Sequence, residues 1–137
     1  MNVENSTLDA WAVLNLWGTG NSVYNFRNST LIGRNYYPAG PSNDFANFVI
    51  NQGAENAVIN IEDSQLIMFS KTTNKQYAVS ARTTATIPIN ITGNTKIVDR
   101  TNSLDYVISK NNNTGVVFSI APTVSVIGKQ GASLEEN

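Results

Sequence analysis

The sequence predicts an all-β fold: a parallel β-helix of about four coils, with three short strands per coil. Three observations predict it. An eight-residue phrase recurs along the chain, a second series of apolar segments keeps the same phase, and the composition favours strands and turns over helices. Of 137 residues, 20 are Asn, 12 Ser and 13 Thr, while charged residues make up only 14%. Asn and Ser favour turns, Thr favours strands, and all three are mediocre inside helices.

The phrase is clearest in "NFRNSTLI" (25–32) and "NIEDSQLI" (60–67), with looser copies in "NITGNTKI" (90–97) and "SIAPTVSV" (119–126). Successive copies are 35, 30 and 29 residues apart. Its apolar second position is Phe26, Ile61, Ile91 and Ile120, and its closing apolar position is Ile32, Ile67, Ile97 and Val126. Between them stands a small polar residue: Ser29, Ser64, Asn94 and Thr123. The second series begins at Trp11, Phe48, Tyr77 and Tyr106, each aromatic being followed by apolar residues and then Asn or Ser. These aromatics precede the phrase's second position by 15, 13, 14 and 14 residues. Two series in one phase indicate a structural repeat, because a unit that cannot bury its inner face alone stacks on its neighbours.

Within each period the polar triplet after the second position supplies a corner: Arg27-Asn28-Ser29, Glu62-Asp63-Ser64, Thr92-Gly93-Asn94 and Ala121-Pro122-Thr123. Asn, Asp, Gly and Pro are corner residues. A period therefore reads as three short strands, and no long helical pattern supplies a βαβ crossover. Stacking at about 4.8 Å predicts three columns: Phe26 to Ile120, Ile32 to Val126, and Trp11, Phe48, Tyr77, Tyr106. Asn25, Asn60 and Asn90 form a ladder, expected to satisfy corner backbone groups through their amides. Trp11 and Trp17 are expected in the core or capping an end. The alternative is an antiparallel β-sandwich or jelly roll, since strand signals recur every 10–15 residues.

Residues 1–10 read as a leading segment, and "GRNYYPAGPSNDFAN" (33–47) as an extended loop where binding is expected. The stretch "GKQGASLEEN" at the C-terminus reads as a frayed end or a linker. No domain boundary shows within 1–137. With no obvious cap at either end, the chain reads as a single β-helix domain, a fragment of a longer surface protein, with possible self-association through open coil ends.

Nine basic and ten acidic residues are spread along the chain, for a net charge of −1. No basic stripe points to nucleic acid, no basic amphipathic helix to a membrane surface, and no apolar run approaches the ~20 residues of a membrane span. Cysteine and histidine are absent, which removes thiolate chemistry and the commonest general base and metal ligand. The acids Glu62, Asp63, Asp99 and Asp105 read as solvated corner charges. No catalytic residue, cofactor or metal is expected. The strongest binding candidates are Arg34, Asn35, Tyr36 and Tyr37, a Tyr pair with Arg and Asn that suits stacking on sugar rings or anchoring a protein.

The stretch "YNFRNSTLIGRNYYPAG" (24–40) resembles the F-x-N-x-T-x-x-G-x-N-Y-Y-G stretch of the pectate lyase-like adhesive domain of Gram-positive bacterial surface proteins. Phe26, Asn28, Gly33, Asn35, Tyr36 and Tyr37 match as they stand, whereas Pro38 replaces the usual glycine. The resemblance implies a right-handed β-helix on the bacterial cell surface and an adhesive or structural role, with host or matrix glycan or protein as partner. It transfers no catalytic residue. The alternatives on the same scaffold are a polysaccharide-active enzyme, lyase or hydrolase, and a phage tail-fibre segment.

Overall fold

The computed structural model describes residues 1–35, 46–50, 54–70, 77–81, 85–99 and 116–127. These residues form thirteen strands and no helix. In chain order the strands are β1 (Asn2–Glu4), β2 (Thr7–Ala10), β3 (Leu14–Leu16), β4 (Thr19–Arg27), β5 (Thr30–Asn35), β6 (Ala46–Ile50) and β7 (Glu55–Glu62). They continue with β8 (Gln65–Ser70), β9 (Tyr77–Ala81), β10 (Ile87–Thr92), β11 (Lys96–Asp99), β12 (Val116–Ile120) and β13 (Ser125–Ile127).

The strands lie in three sheets. The first has the order β1-β4-β7-β10-β12, the second β2-β5-β8-β11-β13, and the third β3-β6-β9. Through β9 the chain visits first, second and third sheet in rotation; among the described residues β10 to β13 then alternate between the first and second, and every pairing joins counterparts of successive circuits in parallel. The fold is therefore all-β with parallel sheets, which fits a β-solenoid. An antiparallel sandwich requires antiparallel pairs, and none occurs among the described residues.

The first predicted column holds residue for residue. Phe26 faces Ile61, Ile61 faces Ile91, and Ile91 faces Ile120. Val3 adds a fifth member below Phe26. Residues 1–10 are thus no mere leading segment: β1, β2 and β3 make a circuit of their own, so the first two sheets have five levels and not four.

The second column needs a correction. Ile32 faces Ile67, but Ile97 faces Leu66 and not Ile67. The continuous inner column is Leu8, Leu31, Leu66, Ile97 and Val126, with Leu31, Leu66 and Ile97 fully buried. The cause is the corner. Five residues separate Phe26 from Leu31 and Ile61 from Leu66, but six separate Ile91 from Ile97. The extra residue also puts Thr95, and not the expected Asn94, at the buried corner position, where its hydroxyl stands in line with those of Ser29 and Ser64.

The aromatic column is not formed. Phe48 faces Leu14 and Val79, while Tyr77 faces Ala46. Trp11 lies outside any strand and is 38% exposed, and Trp17 is 71% exposed, so neither is a core residue. Tyr106 lies outside the described residues. Inward positions alternate as a strand demands, so Leu14 and Leu16 meet Phe48 and Ile50. Matching by aromatic identity shifts that register.

The core fills the space between the sheets. Phe26 of the first and Phe48 of the third touch with ring centroids 5.6 Å apart and planes tilted by 57°. Around them lie the buried Leu31, Ile59, Ile61, Leu66, Met68, Ile89 and Ile91. Each such side chain contributes about 1.5–3 kcal/mol on leaving water.

Candidate ligand-binding face

The outward side of the first sheet carries an ordered polar array. Residues preceding the inward column point away from the core, because successive side chains alternate. Asn2, Asn25, Asn60 and Asn90 therefore stand in one line. The next outward residues, Glu4, Arg27, Glu62 and Thr92, stand in a second line beside it. Both lines border a shallow groove of about 410 Å³.

The asparagines do form a ladder, which now includes Asn2. Asn25 Nδ2 donates to Asn2 Oδ1 at 2.8 Å, Asn60 Nδ2 to Asn25 Oδ1 at 2.7 Å, and Asn90 Nδ2 to Asn60 Oδ1 at 2.8 Å. The amides bond to one another and not to corner backbone groups. All bonds point the same way, toward the N-terminal circuit. An amide has two N–H groups and two acceptor sites, so Asn25 and Asn60, which each donate once and accept once in the ladder, keep one of each.

In the neighbouring line Arg27 Nε donates to Glu62 Oε2 at 2.8 Å, and Nη2 lies 2.7 Å from the same oxygen. Both side chains are about half exposed. The hydrogen bond from Glu62, then its charge, hold the Arg27 guanidinium above its ordinary pKa, with Glu4 and Asp63 adding smaller pulls. Asp63, adjacent to Glu62 in sequence, turns away and accepts from the Asn94 backbone N–H at 2.8 Å. The two acids therefore do not converge, and among the described residues no three acidic, His or Cys side chains group as metal ligands.

Of the four residues singled out from sequence, Arg34 and Asn35 lie elsewhere. Arg34 belongs to β5 in the second sheet, where Nε and Nη2 donate to the two carboxylate oxygens of Asp9, the latter bond at 2.7 Å. That hydrogen bonding holds the Asp9 carboxyl below its ordinary value of 3.8. Asn35 closes β5 opposite Ser70, and its side chain is outside the described set. Tyr36 and Tyr37 also lie outside the described residues. Gly33–Asn35 and Ala46–Asn47, expected as loop, are strand residues.

The sequence holds a signal for the Arg27–Glu62 pair that composition hides. The two residues occupy the same place in the recurring phrase, so stacking must bring them together. No family model, curated protein or solved structure matches the chain.

Proposed function

We propose that this chain is a parallel β-helix (a β-solenoid) serving as a non-catalytic adhesion module of the bacterial cell surface, similar to the pectate lyase-like adhesive domains. It binds an extended glycan of the host or matrix along the outer groove of the first sheet. The observation that carries this reading is the amide ladder beside the Arg27–Glu62 pair. Together they offer donors and acceptors at every rung, at the strand spacing of about 4.8 Å.

That spacing favours a sugar chain over a peptide. An extended peptide repeats on one face every two residues, about 6.7 Å, and drifts out of phase with the rungs. A pyranose residue of an extended glycan advances by about one strand spacing. Sugar hydroxyls also both donate and accept, which matches amides, and Arg27 and Glu62 add charge-assisted partners. The segment carrying Tyr36 and Tyr37 follows β5 and supplies a second contact through its aromatic rings.

The test is a glycan array with the intact chain, followed by titration of the glycans retained. Asn60→Ala and Arg27→Ala should each weaken binding about tenfold or more, the loss of one or two hydrogen bonds, one of them charged. Retention that survives both variants but vanishes in Tyr36→Ala/Tyr37→Ala would move the site to the segment after β5. Failure to retain any glycan would remove the reading.

A further inference from the structure

A third line runs along the outward side of the first sheet, beside the asparagines. Two residues before Asn25, Asn60, Asn90 and Ser119 stand Val23, Val58, Pro88 and Val117. Val23 lies opposite Val58, and Pro88 opposite Val117. Ile59 lies opposite Ile89, and the same register sets Val58 beside Pro88. Alternation turns all four away from the core. Val23 is 50% exposed and Val117 48%, while Val58 and Pro88 are half-buried. The face is therefore striped: apolar residues, then amides, then the line of Glu4, Arg27, Glu62 and Thr92.

Single exposed valines are ordinary on a strand. A continuous apolar line across β4, β7, β10 and β12 is not scatter. Pro88 makes the point most sharply. β10 lies inside the sheet, between β7 and β12. A proline there has no N–H for the ladder, and proline is normally confined to edge strands, first residues or bulges. The line stays apolar at that level even though a ladder donor is given up.

We infer that the outer groove takes an extended chain of N-acetylated hexosamines, with acetamido methyl groups on the line from Val23 to Val117 and their amides on the asparagines. The inference rests on the glycan reading and names the class of sugar.

The stripes set the chemistry. Neighbouring lines are two residues apart along each strand, about 6.6 Å. A group lying between the first two must be apolar toward one, and must both donate and accept toward the other. Acetamido is such a group, with a methyl, a C=O and an N–H around one carbon. Asn25 and Asn60 each keep one donor and one acceptor outside the ladder, and these pair with that C=O and N–H. A hydroxyl in the same place sets a polar group against valine and loses its bond to water there.

Spacing agrees. Successive sugars of an extended β-1,4-linked chain are turned over, so one edge presents an acetamido group at every second sugar. That is every second rung, about 9.6 Å.

Charge adds a constraint. Among the described residues lining the groove, Arg27 is the one cation, against the anions Glu4 and Glu62. Arg27 pairs with Glu62. A carboxylated or sulfated chain therefore meets a net negative surface. By charge alone the groove would prefer a free amino sugar to its N-acetylated form, so a preference for the acetylated chain isolates the apolar line.

Three hexamers with one β-1,4-linked backbone differ only at carbon 2. N-acetylglucosamine bears acetamido there, glucose hydroxyl and glucosamine ammonium. Calorimetric titration of the intact chain should give an affinity for the first at least about tenfold above either of the others. Val23→Thr/Val58→Thr keeps the β-branched shape, so its urea midpoint should stay close to that of the wild type. In that variant the acetylated hexamer should fall to within about threefold of the glucose hexamer. Equal affinity for those two hexamers in the wild type, or an acetyl preference that survives in the threonine variant, overturns the inference while the glycan reading stands. Tighter binding of the glucosamine hexamer also overturns it, and assigns selectivity to Glu4 and Glu62. If none of the three binds, the inference falls, and the glycan array decides whether the wider reading falls with it.

Discussion

Asn60 holds both its neighbours, donating to Asn25 and accepting from Asn90. Asn60→Ala strands an acceptor on one side and a donor on the other, both in half-buried surroundings, and should cost about 1–3 kcal/mol. Urea unfolding should show the midpoint falling with an unchanged slope, whereas a shift within a few tenths of a kcal/mol would mean that water replaces the amide at no cost. A buried serine makes the same kind of argument. Ser64 Oγ donates to Glu62 C=O at 2.7 Å and accepts from the Ser29 backbone N–H at 3.1 Å. Ser64→Ala leaves that buried N–H without its acceptor and should cost a similar ~1–3 kcal/mol, again read by urea unfolding. The Asp9–Arg34 pair is exposed and sets a pH dependence. Its carboxyl is depressed in the folded state by the Arg34 hydrogen bonds. The stabilisation is therefore present above the ordinary carboxylate value of about 3.9 and is lost as pH falls through the depressed folded value. Asp9→Asn should flatten the acid limb of the stability profile below about pH 4 and leave neutral pH little changed, because surface pairs contribute little. An acid limb identical in wild type and Asp9→Asn would contradict the assignment.

At the scale of the element, the first corner of each circuit repeats a single backbone device. The residue two places after the inward column adopts the left-handed region at Asn5 (φ 50°), Asn28 (φ 47°), Asp63 (φ 49°) and Gly93 (φ 65°). Asn, Asp and Gly are the residues that visit this region at least cost. At Gly93 space also matters, because an added Cβ would overlap the Asp63 carboxylate. Asn28→Gly should therefore be nearly neutral, while Asn28→Val should lose about 1–2 kcal/mol from the forced conformation. Equal thermal midpoints for the two variants would show that the left-handed corner is dispensable. In the last circuit the equivalent residue is Pro122, whose ring forbids positive φ, and the corner there closes instead with Val124 N–H donating to Ala121 C=O at 3.0 Å. These corners were legible as corners because Asn, Asp, Gly and Pro stand in the same slot of the phrase. Their length was not, since one extra residue at Thr95 leaves the apolar letters matching at a constant spacing of six while the inner face advances by one. The third sheet was legible as strands but not in register. Aromatic identity pairs Trp11 with Phe48, whereas inward alternation pairs Leu14 with Phe48, and burial rather than residue type selects the partner.

For the whole molecule, the first column was readable in full because its residues are apolar at every level and lie at one end of a matched phrase. Its extension to Val3 was legible as well, since "NVENSTL" (2–8) repeats "NFRNSTL" (25–31), but at a spacing of 23 residues instead of 29–35. The candidate face was half legible: the asparagines announce a ladder, but the groove beside it depends on Arg27 and Glu62 meeting across thirty-five positions. The binding residues favoured by composition, Arg34 to Tyr37, start in a different sheet from that groove. The glycan reading depends on equivalent residues of successive circuits meeting in register. Nuclear Overhauser contacts between assigned Asn side-chain amides test this most directly. The account predicts cross-peaks between Asn25 and Asn60 and between Asn60 and Asn90, with none between Asn25 and Asn90, which lie two rungs apart. Absence of the two neighbour contacts, or contacts characteristic of antiparallel pairs between β4 and β7, would contradict it.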